Sequence, residues 1–405
     1  MLQGKCVLLG VTGSIAAYKA AALASRLKKL HCDVEVIMTR HAAEFITPKT
    51  FETLTGNRCY VDMFDAPFEE GVRHIELAHK ADLILVAPAS ANIMAKLAHG
   101  LADDMLTTTI LASKAPKLIA PAMNSGMYEN PVTQDNMDIL KHYGMELIEP
   151  ASGLLACNDV GIGKMPEPEV LVEYVLKHLA CKKDLQGKKI LVSAGPTQEA
   201  LDPVRYLTNH STGKMGYMLA KACMLRGAEV RLVSGKTSLP PLPFVKNIPV
   251  VSAGDMFEAI KIHAPECDLI FMTAAIADYT PCEVAENKIK KGLDGSGMSI
   301  ALNRTQDVLK YLGMNHLEHQ LLCGFSMETE NVLENSRAKL ERKNVDMIVA
   351  NSLKGEGVGF ASDTNEITII TRQGHQVYPK KSKEALAYDI IDAALELEKM
   401  KKLQN

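Results

Sequence analysis

Short apolar runs alternate along this chain with stretches that are apolar at helical spacing. In the first half, residues 5–9, 34–38, 83–86 and 117–120 read as strands. Between them, 15–30 and 133–143 carry the three-to-four-residue apolar repeat of amphipathic helices. A further helix starts at 93–98, and the segment after Met38 is helical. The second half repeats this grammar, with strands at 190–193, 230–233, 269–273, 321–325 and 347–350. Its helices fall at 214–226, 255–263, 332–342 and 383–401. Residues 366–379 alternate apolar and polar positions around Gln373 and Gly374, the pattern of a hairpin. Residues 238–243, with three prolines, predict a rigid loop. Strand–helix alternation with short apolar strands predicts an α/β architecture: a parallel sheet covered on both faces.

The two halves open alike. "LQGKCVLLGVTGS" from Leu2 and "LQGKKILVSAGPT" from Leu185 each give a polar turn, an apolar strand and a glycine-containing loop. No further repeat follows, so two domains are expected, 1–182 and 183–405, with the boundary where charge clusters near Lys182 and Lys183. A length of 405 residues exceeds one ordinary core and agrees with that division.

The net charge of −3 gives no general attraction to nucleic acid or anionic membrane, so small-molecule partners are expected. The start lacks a signal-peptide pattern and no apolar run is long enough to span a bilayer. The nine cysteines are odd in number and show no C-x-x-C spacing. That speaks for reduced thiols in the cytoplasm, most of them buried as Cys6 and Cys223 are expected to be. Cys157 differs. It lies in "SGLLACNDVGIGKM", a glycine-rich stretch without regular period that reads as a flexible loop.

Ligands of parallel sheets sit beyond the carboxyl ends of strands, so the loops there are the candidates for chemistry. "GVTGSIAAYK" puts Gly13 and Ser14 before a helix whose free N–H groups suit a phosphate, although it is neither G-x-G-x-x-G nor a P-loop. Ser90 and Asn92 follow the next buried strand and Asn124 the one after, each equally suited to capping a helix. His74, His79 and His99 are indistinguishable by pattern. In the second half, Asn209 and the "STGKMG" that follows it open a helix, Asp278 ends a buried strand as a metal or ribose partner, and "NKIKKG" places Lys288, Lys290 and Lys291 together. Such a lysine cluster is either a solvated face or a polyphosphate site. G-x-S-x-G and H-E-x-x-H are absent, which removes support for a serine hydrolase and a zincin.

Taken in order, "GVTGSIAAYK", "RHIELAHKAD", "PASAN", "PAMN", "SGLLACNDVGIGKMPEP", "SAGPTQEALDPVRYLTNHSTGKMG", "TAAIADY", "NKIKKG", "GFSMET" and "KLERKN" resemble the bifunctional family of phosphopantothenoylcysteine decarboxylase fused to phosphopantothenate–cysteine ligase, in coenzyme A biosynthesis. The resemblance spans nearly the whole chain. It implies two Rossmann-like domains. The first would be a flavoprotein whose FMN meets Gly13, Ser14, Thr39, Ser90 and Asn92, with His74 as base, Asn124 on the substrate carboxylate and Cys157 as proton donor on a lid. The second would ligate cysteine to 4′-phosphopantothenate with CTP and Mg²⁺. CTP would be met by Ala274, Asp278, Lys288, Gln306, Asp307, Val308, Leu309, Phe325, Lys339 and Lys343, with Asn209 acting on the acyl-cytidylate. It also implies trimeric decarboxylase contacts and dimeric ligase contacts, giving a dodecamer. Lys164 stands where the family usually has Arg, and Gln306 where it often has Pro. A nicotinamide-dependent oxidoreductase and a non-enzymatic flavin-binding protein are the rival readings. The first lacks its glycine fingerprint, and the intact Cys157 and complete second half oppose the other.

Overall fold

The computed structural model describes residues 1–64, 72–154, 160–290, 297–328, 331–352 and 362–404, and divides into two compact units, Met1–Cys181 and Lys182–Asn405. In the first unit six strands form one sheet: β1 Cys6–Val11, β2 Asp33–Met38, β3 Cys59–Tyr60, β4 Leu83–Ala89, β5 Lys117–Pro121 and β6 Glu146–Leu147. All pair in parallel, in the order β3-β2-β1-β4-β5-β6. Val7, Leu8, Leu9, Leu83, Ile84 and Leu85 are fully buried, so neighbouring positions on both faces of the central strands are covered. This explains why their sequences read as apolar runs and not as alternation. Helix Ala17–Lys29 packs Ala17, Ala20, Leu23, Ala24 and Leu27 inward. It begins two residues later than the apolar pattern implies, because Ile15 is exposed in the turn closed by the Ala17 N–H on the Ser14 carbonyl.

The stretch read as an aperiodic loop holds regular structure. Strands β7 Ala151–Leu154 and β8 Val160–Lys164 form an antiparallel ribbon. Glycine at alternate positions hides the period-two signal. Gly163 is required there: its φ is +133°, and a Cβ would fall 2.4 Å from the Met123 carbonyl oxygen. Cys157 lies outside the described residues.

The second unit centres on eight strands: β9 Lys189–Ala194, β12 Glu229–Ser234, β13 Lys246–Pro249, β14 Leu269–Met272, β17 Leu321–Glu328, β18 Met347–Ser352, β19 Thr364–Thr371 and β20 His375–Ser382. Two ribbons lie outside that sheet, β10 Gln198–Ala200 with β11 Tyr206–Thr208, and β15 Tyr279–Pro281 with β16 Leu302–Arg304. The sheet order is β13-β12-β9-β14-β17-β18-β19-β20, parallel as far as β18 and then antiparallel through the β19–β20 hairpin around Gly374. Helix Lys214–Leu225 packs on this sheet at Gly216, where a Cβ would fall 2.6 Å from that of Ala194 and 2.9 Å from the Ser193 carbonyl oxygen. Each unit therefore repeats the 3-2-1-4-5-6 order of a doubly wound sheet, with its switch point between the first and fourth strands.

Candidate functional site

At the switch point of the first unit, loop meets loop through Thr12. Its Oγ1 donates to the Pro88 carbonyl at 2.8 Å and accepts the Ser90 N–H at 3.0 Å. The ends of β1 and β4 are thereby held open side by side. A cavity of about 730 Å³ lies there, lined among others by Gly13, Thr39, Ser90 and Asn92. A second, of about 570 Å³, shares Gly13 and Ser90 with it and adds Ser14, Asn124 and Lys164. Ser90, Thr39 and Asn124 also cap the helices that follow them, so the capping and site readings coexist in the same side chains. Helix Ala17–Lys29, by contrast, has no side-chain cap and no acidic residue in its first turn. A helix start of that kind, beside Gly13 and Ser14, suits a phosphate group.

His74 is half-buried on helix Arg73–Lys80 and lines neither cavity. His99 sits opposite Asn136, its Nε2 3.1 Å from the Asn136 Oδ1, which accounts for it structurally. Pattern reading passed over Lys19. Its buried ammonium donates to the Met165 carbonyl at 3.2 Å and to Glu167 at 2.8 Å, tying the chain just after β8 to the first helix. Partners 146 residues apart leave no local signature. Lys96 pairs with Asp103 and Asp104 on the wall of the larger cavity. Burial disfavours ionisation of Asp104, but the Thr107 N–H and the Lys96 ammonium outweigh it and hold the carboxyl below the usual range.

The second unit gathers its site from four stretches of chain. A cavity of about 540 Å³ is lined by Ala274 and Asp278 after β14, by Gln306, Asp307, Val308 and Leu309, by Phe325 on β17, and by Lys339 and Lys343 on helix Val332–Lys343. Ser193 Oγ accepts the Ala274 N–H and Thr197 Oγ1 the Ala277 N–H, which fixes the backbone after β14 against that after β9. Lys339 donates to the Phe325 carbonyl at 3.0 Å, and Lys343 pairs with Asp307. Burial pushes the Asp307 carboxyl up, yet the bond from Lys343 and the Lys310 N–H bring it below its ordinary value. Residues 308–315, unassigned by the apolar pattern, form a helix that Asp307 caps.

An adjoining cavity of the same size shares Ala274, Asp278, Phe325 and Lys339 and adds Asn209, Ser211 and Lys214. Asn209 Nδ2 donates to the carbonyls of Ala275 and Ile276. Buried Lys383 also lines it, its amine pushed below the usual lysine range by burial and by nearby Lys214. Lys288 is exposed and lines neither cavity. Among the described residues no cluster of three His, Cys, Asp or Glu gathers to hold a metal ion. Cys6 and Cys223 are buried, and burial pushes both thiols up to about 12. No described helix is long and apolar enough to cross a membrane.

Two doubly wound units, each with cavities at the carboxyl ends of its parallel strands, define a protein of two Rossmann-like α/β domains. Residues 1–180 match the flavoprotein family, and residues 185–397 match the DNA/pantothenate metabolism flavoprotein C-terminal domain. The chain is 47% identical over 403 residues to the coenzyme A biosynthesis bifunctional protein CoaBC of Bacillus subtilis, covering 98% of each, and 40% identical over 392 residues to that of Escherichia coli, covering 96% of this chain and 97% of the other. A crystal structure of the C-terminal domain of a coenzyme A biosynthesis bifunctional protein CoaBC aligns at 42% identity over 53% of this chain and 96% of that one, with a TM-score of 0.45. The chain belongs to the family of bifunctional coenzyme A biosynthesis proteins, its flavoprotein unit first.

Proposed function

We propose that the second unit ligates cysteine to 4′-phosphopantothenate at the expense of CTP, and that the first decarboxylates the product, 4′-phosphopantothenoylcysteine, to 4′-phosphopantetheine with FMN. The observation that carries the ligase reading is the cavity in which Ala274, Asp278, residues 306–309, Phe325, Lys339 and Lys343 converge from four separate stretches of chain. Attack of the substrate carboxylate on the α-phosphate of CTP forms an acyl-cytidylate and releases pyrophosphate. The cysteine amine then displaces CMP. Negative charge shifts between phosphate oxygens in the first step, and Lys339, Lys343 and Lys288 would stabilise it electrostatically. Asn209 has its Nδ2 committed to Ala275 and Ile276, so it offers its Oδ1, an acceptor suited to the attacking amine. Mg²⁺ would arrive on the triphosphate, because magnesium keeps its waters and takes few protein ligands.

In the first unit, Gly13 and Ser14 would receive the flavin phosphate at the uncapped helix start, with Thr39, Ser90 and Asn92 along the rest of the cofactor. A flavin bound there would supply a reversible two-electron sink for the cysteinyl sulfur, which the substrate itself lacks. Asn124 would hold the substrate carboxylate and His74 would serve as base. Cys157 would return the proton, since a thiol with an ordinary pKa of about 8.5 is mostly protonated at neutral pH. Lys164 keeps the lid's positive charge but not the two-pronged grip of an arginine. A trimer of the first unit and a dimer of the second would give a dodecamer in the cytoplasm.

The test is one reaction. Purified protein with CTP, Mg²⁺, 4′-phosphopantothenate and cysteine is expected to give 4′-phosphopantetheine, CO₂, CMP and pyrophosphate. Absence of both CMP and CO₂ overturns the proposal, and a colourless protein without flavin absorption overturns its first half.

A further inference from the structure

The tight turn between β10 and β11 is built around one carboxylate. The Asp202 side chain is fully buried. Its Oδ1 accepts the N–H groups of Val204 and Arg205, both at 2.8 Å. Its Oδ2 accepts Arg205 Nε at 2.9 Å and a terminal guanidinium nitrogen at 2.6 Å. Bonds within a turn would be expected of any such Asp. One further bond reaches outside it: Oδ2 also accepts the N–H of Ile289, 87 residues away, at 3.1 Å. The same guanidinium donates to the Ile289 carbonyl at 2.8 Å. The Ala285 N–H meets the Leu201 carbonyl at 3.0 Å. Both backbone polar groups of Ile289 are thus held by the Asp202–Arg205 pair, and Ile289 directly follows Lys288.

Lys288 itself is exposed and has a flexible four-carbon stem. The reach of its ammonium therefore depends on where the backbone at Ile289 is fastened. The turn that fastens it also begins β11, which leads directly to Asn209 at the neighbouring cavity. We propose that Asp202 is a positioning residue of the ligase reaction, fixing the Lys288 segment against the turn that carries Asn209, so that both reach the same acyl-cytidylate. The inference rests on the reading of Lys288 and Asn209 as ligase residues. The Arg205 guanidinium holds the Asp202 carboxyl well below the usual range, so the latch stays ionised at neutral pH.

Asp202→Asn is the informative change. Whichever way the amide turns, an NH₂ group faces N–H donors that the carboxylate accepted. Misplacement of a catalytic group by about 1 Å costs on the order of 10²-fold in rate, and a loss of that order in CMP formation is expected. The distinguishing measurement is a double-mutant cycle with Lys288→Gln. If Asp202 acts through Lys288, Asp202→Asn adds little to the loss already caused by Lys288→Gln. Hydrogen exchange should rise at residues 285–290 while β9 and β14 stay protected. Losses that multiply in full, or unaltered exchange at 285–290, overturn the inference. If Asp202→Asn unfolds the second unit, Arg205→Gln replaces it in the same cycle, removing the bond to the Ile289 carbonyl while leaving the acceptor of its N–H; the same two outcomes decide. A Lys288→Gln variant as fast as the parent overturns the role given to Lys288 itself, and the inference with it.

Discussion

Single side chains in this protein serve two roles at once. Ser90 accepts the Ile93 N–H as a helix cap and lines both cavities of the first unit. Asp307 caps helix Val308–Asn315 and pairs with Lys343 in the second. Capping and ligand binding coincide because both use polar groups at helix starts, and in a doubly wound sheet those starts surround the site. Ser14, Ser90 and Asn124 were therefore legible as candidates from their places after apolar strands, and Asn209 from its place before a helix. Lys19 and Asp202 were not, because their partners come from remote sequence. The sharpest prediction at this scale concerns Cys157. Cys157→Ser is expected to release CO₂ yet yield little 4′-phosphopantetheine, leaving an enethiol product detectable by mass spectrometry. A variant forming 4′-phosphopantetheine at the parent rate removes the proton-donor role.

At the scale of elements, close approaches and ion pairs decide how well strands and helices seat. Helix Lys214–Leu225 meets β9 through Gly216, with no room for a methyl group. Gly216→Ala is expected to destabilise the second unit by about 1–3 kcal/mol, the usual cost of overpacking, measured by urea denaturation. In the first unit, β6 is tied to helix Pro168–Leu179 through Glu146, which accepts from His178 at 2.7 Å and Lys177 at 2.8 Å. The bond from His178, opposed by burial and aided by Lys177, brings the Glu146 carboxyl down to about 2. Its folded pKa lies below its unfolded one. The stabilisation is therefore complete above the ordinary Glu value of about 4.3 and is lost as pH falls from there toward 2. Glu146→Gln should flatten the acid-side decline of first-unit stability over that window. An unchanged decline would show that the contact contributes nothing. Elements with strong apolar runs or a helical repeat were readable in advance. The β7–β8 ribbon was not, since glycines carry no hydrophobicity to reveal a period, and the β10–β11 and β15–β16 ribbons are too short to show one.

At the scale of the whole molecule, two α/β units of the same strand order carry two different chemistries. The cavities described lie within single units, so the activities should separate by mutation. Lys288→Gln is expected to lower CMP formation by at least about 100-fold, the scale on which electrostatic stabilisers act, while decarboxylation of supplied 4′-phosphopantothenoylcysteine continues at the parent rate. Cys157→Ser should show the converse. Loss of both activities in either variant would contradict independent sites.

The amino-acid sequence alone determined the α/β class, the two-part layout and the ordered motifs that mark the family, because each is written in local periodicity or in loops of a few residues. The convergence of residues 274, 278, 306–309, 325, 339 and 343 on one cavity was decided by tertiary structure. So were the burial of Lys19 and the fastening of Ile289 by Asp202 and Arg205. Those facts depend on which strands become neighbours. Parallel strands meet only through long crossovers, so the partners at their carboxyl ends are drawn from distant parts of the chain.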